Sequence, residues 1–171
     1  MGDADVLFSA HRDGVFRYLC RFVGHGQAGE LTQEVFLRVA RGPVPEADEA
    51  GRRAWIFRIA RNLALNHVRD DRRRGAHAVL EDTASAPTQE LAAALREALG
   101  RLAPLDREVF LLRETAGLNY AEIALACDLT PDAVRSRLHR ARRQLRESLD
   151  PALKRMPVTA GVRLYDRSER D

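Results

Sequence analysis

Lysine is almost absent from this 171-residue chain, and aromatic residues, cysteines and long apolar runs are scarce as well. Lys154 is the only lysine among 28 lysine and arginine residues. No apolar run approaches the ~20 residues that a membrane-spanning helix needs, and the N-terminal sequence M-G-D-A-D is acidic rather than signal-like. We therefore expect no membrane insertion and a cytoplasmic location.

The two cysteines are too isolated to form a disulfide framework. Cys20 and Cys127 lie far apart, each within an apolar helical pattern, and neither belongs to a C-x-x-C pair. This usage is typical of a reducing compartment with buried thiols. The histidines show no metal-type spacing with them, so we expect no metal and no cofactor. The five histidines are His11, His25, His67, His77 and His139.

The composition favours a folded helical protein. Apolar residues make up 45% and charged residues 31%, which excludes a wholly disordered chain. The net charge is only +3, but the basic residues are nearly all arginine, the better bidentate ligand for phosphate and guanine. A GC-rich genome would produce the same bias, so the positions of the arginines matter more than their number.

Three amphipathic helices are predicted in the N-terminal half. Apolar residues recur at helical spacing from Val6 to Val23, where Gly24 and Gly26 break the run, and again from about Ala28 to Arg41. After the loop G-P-V-P-E-A-D-E-A-G, a long helix is predicted from about Arg52 to Arg74. The residues expected on its buried face are Trp55, Ile56, Ile59, Ala60 and Leu63.

A linker is predicted between two small domains. The segment G-A-H-A-V-L-E-D-T-A-S-A-P has no sustained period and is rich in small and turn-forming residues. We therefore predict an all-α fold of two small helical domains joined by a flexible linker, with no strand. The predicted parts are residues 1–74, a linker 75–87, residues 88–150 and a tail 151–171.

The C-terminal half predicts four helices with clear start signals. Thr88 is the expected N-cap of the first, and Pro104 separates it from the second, about Leu105 to Ala116. Asn119, followed three residues later by Glu122, predicts a capping box that starts a short helix. Thr130-Pro131-Asp132 predicts the start of the last, with threonine as N-cap.

The last two helices have the pattern of a DNA-binding helix-turn-helix. On the final helix, an apolar stripe of Val134, Leu138, Ala141 and Leu145 leaves a basic face on the other side. Uncompensated cations on one face favour a polyanion, although an Arg-rich face is commonly just solvated. The candidate DNA contacts are Arg135, Ser136, Arg137, His139, Arg140 and Arg143, with Arg113 on the preceding helix.

A second polar pattern runs along the long helix of the N-terminal half. Its members recur at steps of three or four beside the buried stripe, and we call them the polar ridge: Arg58, Asn62, Asn66, Arg69 and Arg73. Asparagine can contact base edges and arginine can hold phosphates. A solvated helix face is an equally good explanation of this pattern alone.

One apolar residue stands among polar ones on the outer side of the second helix. Glu30, Gln33 and Glu34 project away from its apolar stripe together with Leu37. A charged helical partner could use such a surface, but a single exposed leucine needs no explanation.

Taken together, the motifs resemble the extracytoplasmic-function (ECF) sigma factors of the sigma-70 family, over nearly all of residues 7–149. L-T-Q-E-V-F-L-R-V is similar to the region-two helix that binds the clamp of RNA polymerase. A-W-I-F-R-I-A-R-N-L-A-L-N-H-V-R is similar to the stretch that melts and reads the minus-ten promoter element. L-N-Y-A-E-I-A and V-R-S-R-L-H-R-A-R-R-Q-L resemble the region-four helix-turn-helix that reads the minus-thirty-five element.

The resemblance implies roles for the candidate residues. It makes Glu30, Gln33, Glu34 and Leu37 polymerase contacts, and Asn62 the holder of an extruded non-template base. It implies core RNA polymerase, through its beta-prime clamp and beta flap, and promoter DNA as partners. Many relatives are held inactive by an anti-sigma factor, which would be a further partner. The sequence departs from the family at Gly29, where an acid is usual, and at Asn66, where aspartate is common.

Two other classes of function compete with this interpretation. A stand-alone helix-turn-helix regulator would explain the C-terminal half but leave the polar ridge and L-T-Q-E-V-F without a role. An enzyme would need a nucleophile-base pair, a metal set or a phosphate loop, and the sequence offers none that is convincing. The prediction is a non-enzymatic sigma factor.

Overall fold

A computed structural model describes residues 3–74 and 86–155 of the chain. Within these ranges the protein forms helices and no strands, as predicted for an all-α fold. The helices are α1 (Asp3–Val23), α2 (His25–Arg41), α3 (Glu49–Arg73), α4 (Ala86–Arg101), α5 (Pro104–Glu114), α6 (Tyr120–Cys127) and α7 (Pro131–Arg155). Residues 75–85 of the predicted linker and most of the predicted tail lie outside the described residues, whereas the last two residues of that linker, Ala86 and Pro87, belong to α4.

The first three helices pack together around one apolar core. Gly24 separates α1 from α2 with a φ of 88°, a left-handed conformation that glycine adopts without strain, whereas Gly26 lies inside α2. The prediction that both glycines break the run is therefore right only for Gly24. Val15 and Leu19 of α1 and Val35 of α2 are fully buried in this core.

Helix α3 begins three residues earlier than predicted, because Asp48 caps it. The Asp48 side chain accepts a hydrogen bond of 2.8 Å from the backbone N–H of Gly51. Of the predicted buried face, Ile56, Ala60 and Leu63 are buried, but Trp55 and Ile59 are only partly buried. Phe57 was missed: it is buried with its ring 6.0 Å from that of Tyr18.

In the C-terminal half, most of the predicted start signals operate as expected. Helix α4 begins at Ala86, so Thr88 lies in its first turn and the prediction of Thr88 as N-cap was wrong. Pro104 is the first residue of α5, where its missing N–H costs nothing. Helix α7 continues to Arg155, past the boundary that we predicted at residue 150.

The two halves of the chain lie against each other. Helix α3 contacts α6, and α1 contacts α5, so that buried apolar residues of both halves form one continuous cluster. Within the described ranges, no helix is both long and apolar enough to span a membrane. The same residues contain no group of three or more potential metal ligands.

Candidate nucleic-acid interface

The helix-turn-helix is built from two well-capped helices. Asn119 accepts a hydrogen bond from the Glu122 N–H at 2.9 Å, and the Glu122 carboxylate accepts one from the Asn119 N–H at 2.7 Å. The predicted capping box is thereby confirmed. Asp128 ends α6 in a left-handed conformation with φ of 55°, and the Thr130 hydroxyl accepts from the Ala133 N–H at 3.2 Å to start α7.

Helix α7 buries one side and exposes the other. Val134, Leu138, Ala141 and Leu145 are all buried, which confirms the predicted apolar stripe. The side chains on the opposite side are in solvent. They include the candidate DNA contacts Arg135, Ser136, His139, Arg140 and Arg143.

Two of the candidate arginines on α7 share one buried carboxylate. Arg137 donates from Nη1 to Oδ1 of Asp106 at 2.8 Å, and Arg140 donates to both oxygens at 3.1 and 3.2 Å. Burial raises the pKa of Asp106, but hydrogen bonds from Arg140 and Arg137 outweigh it, so the pKa lies below the usual value. Arg137 is half-buried, whereas Arg140 remains exposed and keeps further N–H donors for a ligand.

Arg113 stabilises the turn before α6. Its Nη1 donates to the Leu118 carbonyl oxygen at 2.9 Å, and its guanidinium lies 5.4 Å from the centre of the Tyr120 ring. The side chain is half-buried. Arg113 thus stabilises the entry to the helix-turn-helix, and its role as a phosphate contact stays a prediction.

The polar ridge on α3 is exposed over most of its length. Asn62, Asn66, Arg69 and Arg73 are in solvent, and Arg73 has only a loose ion pair with Asp70, at 3.8 Å. Among the described residues, neither Asn62 nor Asn66 has a side-chain hydrogen-bond partner. The amides are therefore available to a base or a phosphate.

The N-terminal end of the ridge, in contrast, contacts the other half of the protein. Arg58 donates from Nη2 to the Leu125 carbonyl oxygen and, at 2.6 Å, to the Asp128 carboxylate. Arg58 is thus bound to the turn of the helix-turn-helix. The sequence indicated a free DNA-binding residue here, because its periodicity says nothing about a partner 70 residues away.

Two further arginines of α3 bind the C-terminal half, and the sequence analysis missed both. Arg53 donates to the Ala116 carbonyl oxygen at 2.6 Å and lies 3.5 Å from Glu122. Arg61 donates from Nε to Glu108 at 2.6 Å, in a pair whose side chains are both largely buried. No local pattern in the sequence distinguishes these arginines from ordinary surface residues.

The outer surface of α2 is arranged as the sequence predicted. Glu30 and Gln33 are exposed, and Leu37 is 46% exposed. Glu34 accepts a hydrogen bond from Arg38 at 2.7 Å, so its charge is partly neutralised within the helix. Beside this surface, α1 and α2 enclose a shallow groove of about 270 Å³. Its lining includes Phe8, Arg12, Phe16, Gly29, Thr32 and Gln33.

Comparison with known protein families accounts for both halves. Residues 7–74 match the family model for sigma-70 region 2, and residues 92–145 match that for sigma-70 region 4. The order of the two regions agrees with the order of the polar ridge and the helix-turn-helix. The chain therefore belongs to the sigma-70 family.

Individual relatives define the branch of that family. The ECF sigma factor SigE of Mycolicibacterium smegmatis is 36% identical over 85% of this chain, and CarQ of Myxococcus xanthus is 36% identical over 84%. SigI of Mycobacterium tuberculosis, a probable ECF sigma factor, is 31% identical over 97%. The matches span 61% of SigE, 64% of SigI and 87% of CarQ. The protein is a member of the ECF RNA polymerase sigma factors.

Solved structures share the fold. One is the sigma factor RpoE of Bartonella quintana, in complex with the anti-sigma factor NepR. The match covers 88% of this chain and 98% of the RpoE chain. The TM-score is 0.65 at 21% identity. A second is CnrH, in complex with the cytosolic domain of CnrY. This match covers 86% of this chain and 88% of the CnrH chain, with a TM-score of 0.64 at 25% identity.

Proposed function

We propose that this protein binds core RNA polymerase and directs promoter-specific initiation by contacting the minus-ten and minus-thirty-five elements. The proposal rests on one observation: the chain has two exposed polar surfaces, one on α3 and one on α7. They occur along the sequence in the same order as regions 2 and 4 of the sigma-70 family. The sigma factor supplies no catalytic group in this scheme, since polymerase performs the chemistry. Specificity is the product of two modest recognition events.

At the minus-ten element, the exposed part of the polar ridge holds the melted non-template strand. Asn62 hydrogen-bonds an extruded base, while Arg69 and Arg73 hold phosphates. Unstacking a base costs a few kcal/mol, which contacts to the trapped base must offset. The amides of Asn62 and Asn66 are exposed and have no side-chain partner among the described residues, so they are available to bind a base.

At the minus-thirty-five element, α7 enters the major groove with its exposed face. Arg135, Ser136 and His139 lie in its first half, where residues of a recognition helix reach base edges. Arg140 contacts DNA with the donors that Asp106 leaves unoccupied, and Arg143 binds a phosphate. Arg137 serves mainly to anchor α7 to α5, since it is half-buried against Asp106.

Core polymerase is proposed to bind α2 through Glu30, Gln33, Glu34 and Leu37. The exposed leucine supplies apolar contact area within a polar rim, as protein interfaces commonly do. We propose that this helix docks on the clamp of the beta-prime subunit. The C-terminal half is proposed to dock on the beta flap. An anti-sigma factor is a further proposed partner, since NepR and the cytosolic domain of CnrY bind structural neighbours.

In vitro transcription tests the proposal. Purified protein is added to sigma-free core polymerase with DNA fragments from its own genome, alongside Asn62→Ala and a control, Gln89→Ala, whose exposed side chain lies on α4, outside the proposed surfaces. Start sites that require the protein, weaken in Asn62→Ala and persist in Gln89→Ala are expected. Duplex binding without polymerase binding or start sites would instead identify a stand-alone regulator.

A further inference from the structure

The arginines on the exposed face of α7 differ in how firmly the fold holds them. Arg143 has no acidic partner among the described residues. Arg135 donates one hydrogen bond to Asp132, in a pair whose side chains are 67% and 87% exposed. Exposed pairs of this kind contribute little, so neither side chain is held in one orientation. Arg140 is different, because a buried carboxylate binds its guanidinium.

Two hydrogen bonds hold the Arg140 guanidinium along one edge. Nε donates to Oδ2 of Asp106 at 3.1 Å, and Nη2 donates to Oδ1 at 3.2 Å, which is the bidentate pairing of arginine with a carboxylate. Because two adjacent N–H groups are bonded to two oxygens, the plane of the guanidinium cannot turn without breaking a bond. Asp106 therefore sets the direction of this side chain as well as balancing its charge.

The Asp106 carboxylate is itself held in place. Asp106 lies in the first turn of α5, two residues after Pro104, where the helix dipole favours an acid. Arg137, with a side chain only 26% exposed, donates a further hydrogen bond to Oδ1 at 2.8 Å. The side chain of Asp106 is 9% exposed and that of Arg140 is 49% exposed. A ligand can therefore reach the arginine, whereas the carboxylate behind it is largely covered.

The free edge of the Arg140 guanidinium matches the major-groove edge of guanine. Arginine has five N–H donors, and Asp106 occupies one on Nε and one on Nη2. The remaining donors are the two on Nη1 and one on Nη2, so the edge between these two nitrogens still offers a parallel pair. Guanine presents O6 and N7 as neighbouring acceptors in the major groove, and arginine binds both at once.

The charge of this cluster favours a base over a phosphate as the ligand of Arg140. A phosphate contact needs positive charge and carries no sequence information, and an acid beside the arginine weakens its attraction to a polyanion. Reading a base edge needs a fixed orientation instead, and a supporting hydrogen bond is how proteins supply one. The Asp106 carboxylate thus improves the property that base reading requires and reduces the one that phosphate binding requires.

We propose that Asp106 is a positioning residue that makes Arg140 the reader of one guanine in the minus-thirty-five element. The inference rests on the proposed binding of that element by α7. Arg140 donates both hydrogen bonds to the guanine, and Asp106 holds the guanidinium in the plane of the base pair without touching DNA. Guanine should therefore be preferred at one position by about tenfold, within the range that a bidentate pair supplies.

Enrichment sequencing of a duplex DNA library with a randomised block tests this positioning role. The full chain is used, alone and with sigma-free core polymerase. Arg140→Ala locates the guanine, because the preference should disappear at one position only. Asp106→Asn should lose the preference at that same position, although Arg140 is still present, and keep the preferences elsewhere. Its affinity for random duplex should be unchanged or higher, since the variant removes a negative charge.

Two further variants separate orientation from charge and from folding. Asp132→Asn makes the same charge change at the exposed acid that binds Arg135, and it should keep the guanine preference. Asp106→Leu/Arg137→Met replaces the buried pair by apolar residues, a change that is often neutral for stability, and leaves Arg140 without its carboxylate. This double variant should lose the guanine preference even if Asp106→Asn fails to fold.

The outcomes distinguish the positioning role from the sigma-factor role. A guanine preference that persists without the Asp106 carboxylate overturns the positioning role. Arg140→Ala binding that falls equally for all sequences also overturns it, because that is the behaviour of a phosphate contact. Enrichment by the wild type without start sites in transcription would remove the sigma-factor role, while loss of the guanine in the Asp106 variants would still support positioning. A wild type that enriches no sequence, with or without polymerase, overturns both.

Discussion

The polar ridge of α3 and the basic face of α7 both contain arginines bound to carboxylates, but the carboxylates come from different places. On α7, Arg137 and Arg140 bind Asp106, which belongs to the same C-terminal half. On α3, Arg58 binds Asp128, which belongs to the opposite half. The first set of pairs survives when the halves separate, and the second does not.

Arginine–aspartate pairs therefore have two different effects in this protein. Asp106 is largely buried and orients two arginines of its own half. Asp128 is largely exposed and occupies an arginine only while the halves are together. A pair within one half therefore orients the side chains of one surface, and a pair between halves helps to hold the two halves together.

The largest expected effect comes from removing the support of the α7 face altogether. Leu138 is 1% exposed in the centre of the apolar stripe, and Leu138→Ala should cost about 2–5 kcal/mol in free energy of unfolding. Chemical denaturation followed by circular dichroism measures this cost. DNA binding by α7 should fall with it.

Leu37→Ala is the matched control for this prediction. Leu37 is 46% exposed, so its truncation should change the free energy of unfolding by no more than about 0.5 kcal/mol. Affinity for core polymerase should nevertheless decrease, because Leu37 lies on the proposed docking surface. Equal destabilisation by the two variants would contradict the assignment of Leu138 to the core.

Asp106→Asn tests the ion pairs within the C-terminal half, because it removes the carboxylate that Arg137 and Arg140 share. The change should cost about 1–3 kcal/mol at neutral pH, since it breaks charge-assisted hydrogen bonds to Arg137 and Arg140. It should also weaken binding to the minus-thirty-five element, because Arg140 loses its fixed orientation. Denaturation and promoter-binding titrations measure the two effects separately.

The pH dependence of Asp106 has a definite sign. Its pKa is lowered in the folded protein by Arg140 and Arg137, which outweigh the opposing effect of burial. The stabilisation is therefore present above the unfolded pKa of about 3.9, and it is lost as the pH falls through the lower folded pKa. The stability difference between wild type and Asp106→Asn should shrink over that acidic range. A difference that stays constant would show that the ion pairs contribute nothing.

Arg143→Ala tests the unpaired part of the α7 face. Among the described residues Arg143 has no acidic partner, so its full charge is available to DNA. Its removal should weaken duplex binding by about tenfold and lower the salt dependence by about one counterion. Arg142→Ala is the matched control: Arg142 is bound to Glu114 at 2.9 Å, so its removal should weaken binding less. Equal losses would show that only net charge matters.

The sequence predicted best what depends on neighbours along the chain. The capping box of Asn119 and Glu122, the Thr130 cap and the stripe on α7 obey local rules of spacing and side-chain chemistry, and all three were found as expected. The family resemblance rested on four short sequence motifs and their order along the chain, and the family models confirmed it.

Contacts over long distances in the sequence could not be predicted in this way. Helical periodicity placed Arg58 on an outward face, but only the packing of α6 on α3 decides that this face meets Asp128. Asp106 looked like an ordinary acid in the first turn of α5, because the arginines that it binds lie about 30 residues further on. Periodicity identifies a face and does not identify what covers it.

The smallest expected effects come from removing helix caps, one at the start of α3 and one at the start of α6. Asn119→Ala and Asp48→Ala each remove a helix cap and should each cost about 1 kcal/mol in free energy of unfolding. Asn119 should matter more, because α6 has only eight residues and little propensity to form alone. Asn119→Ala leaves the hydrogen bond from the backbone N–H of residue 119 to the Glu122 carboxylate in place, so only the side-chain half of the capping box is lost. Denaturation should therefore rank Asn119→Ala below Asp48→Ala in stability, and the opposite order would mean that packing against α3, rather than its cap, holds α6 in shape.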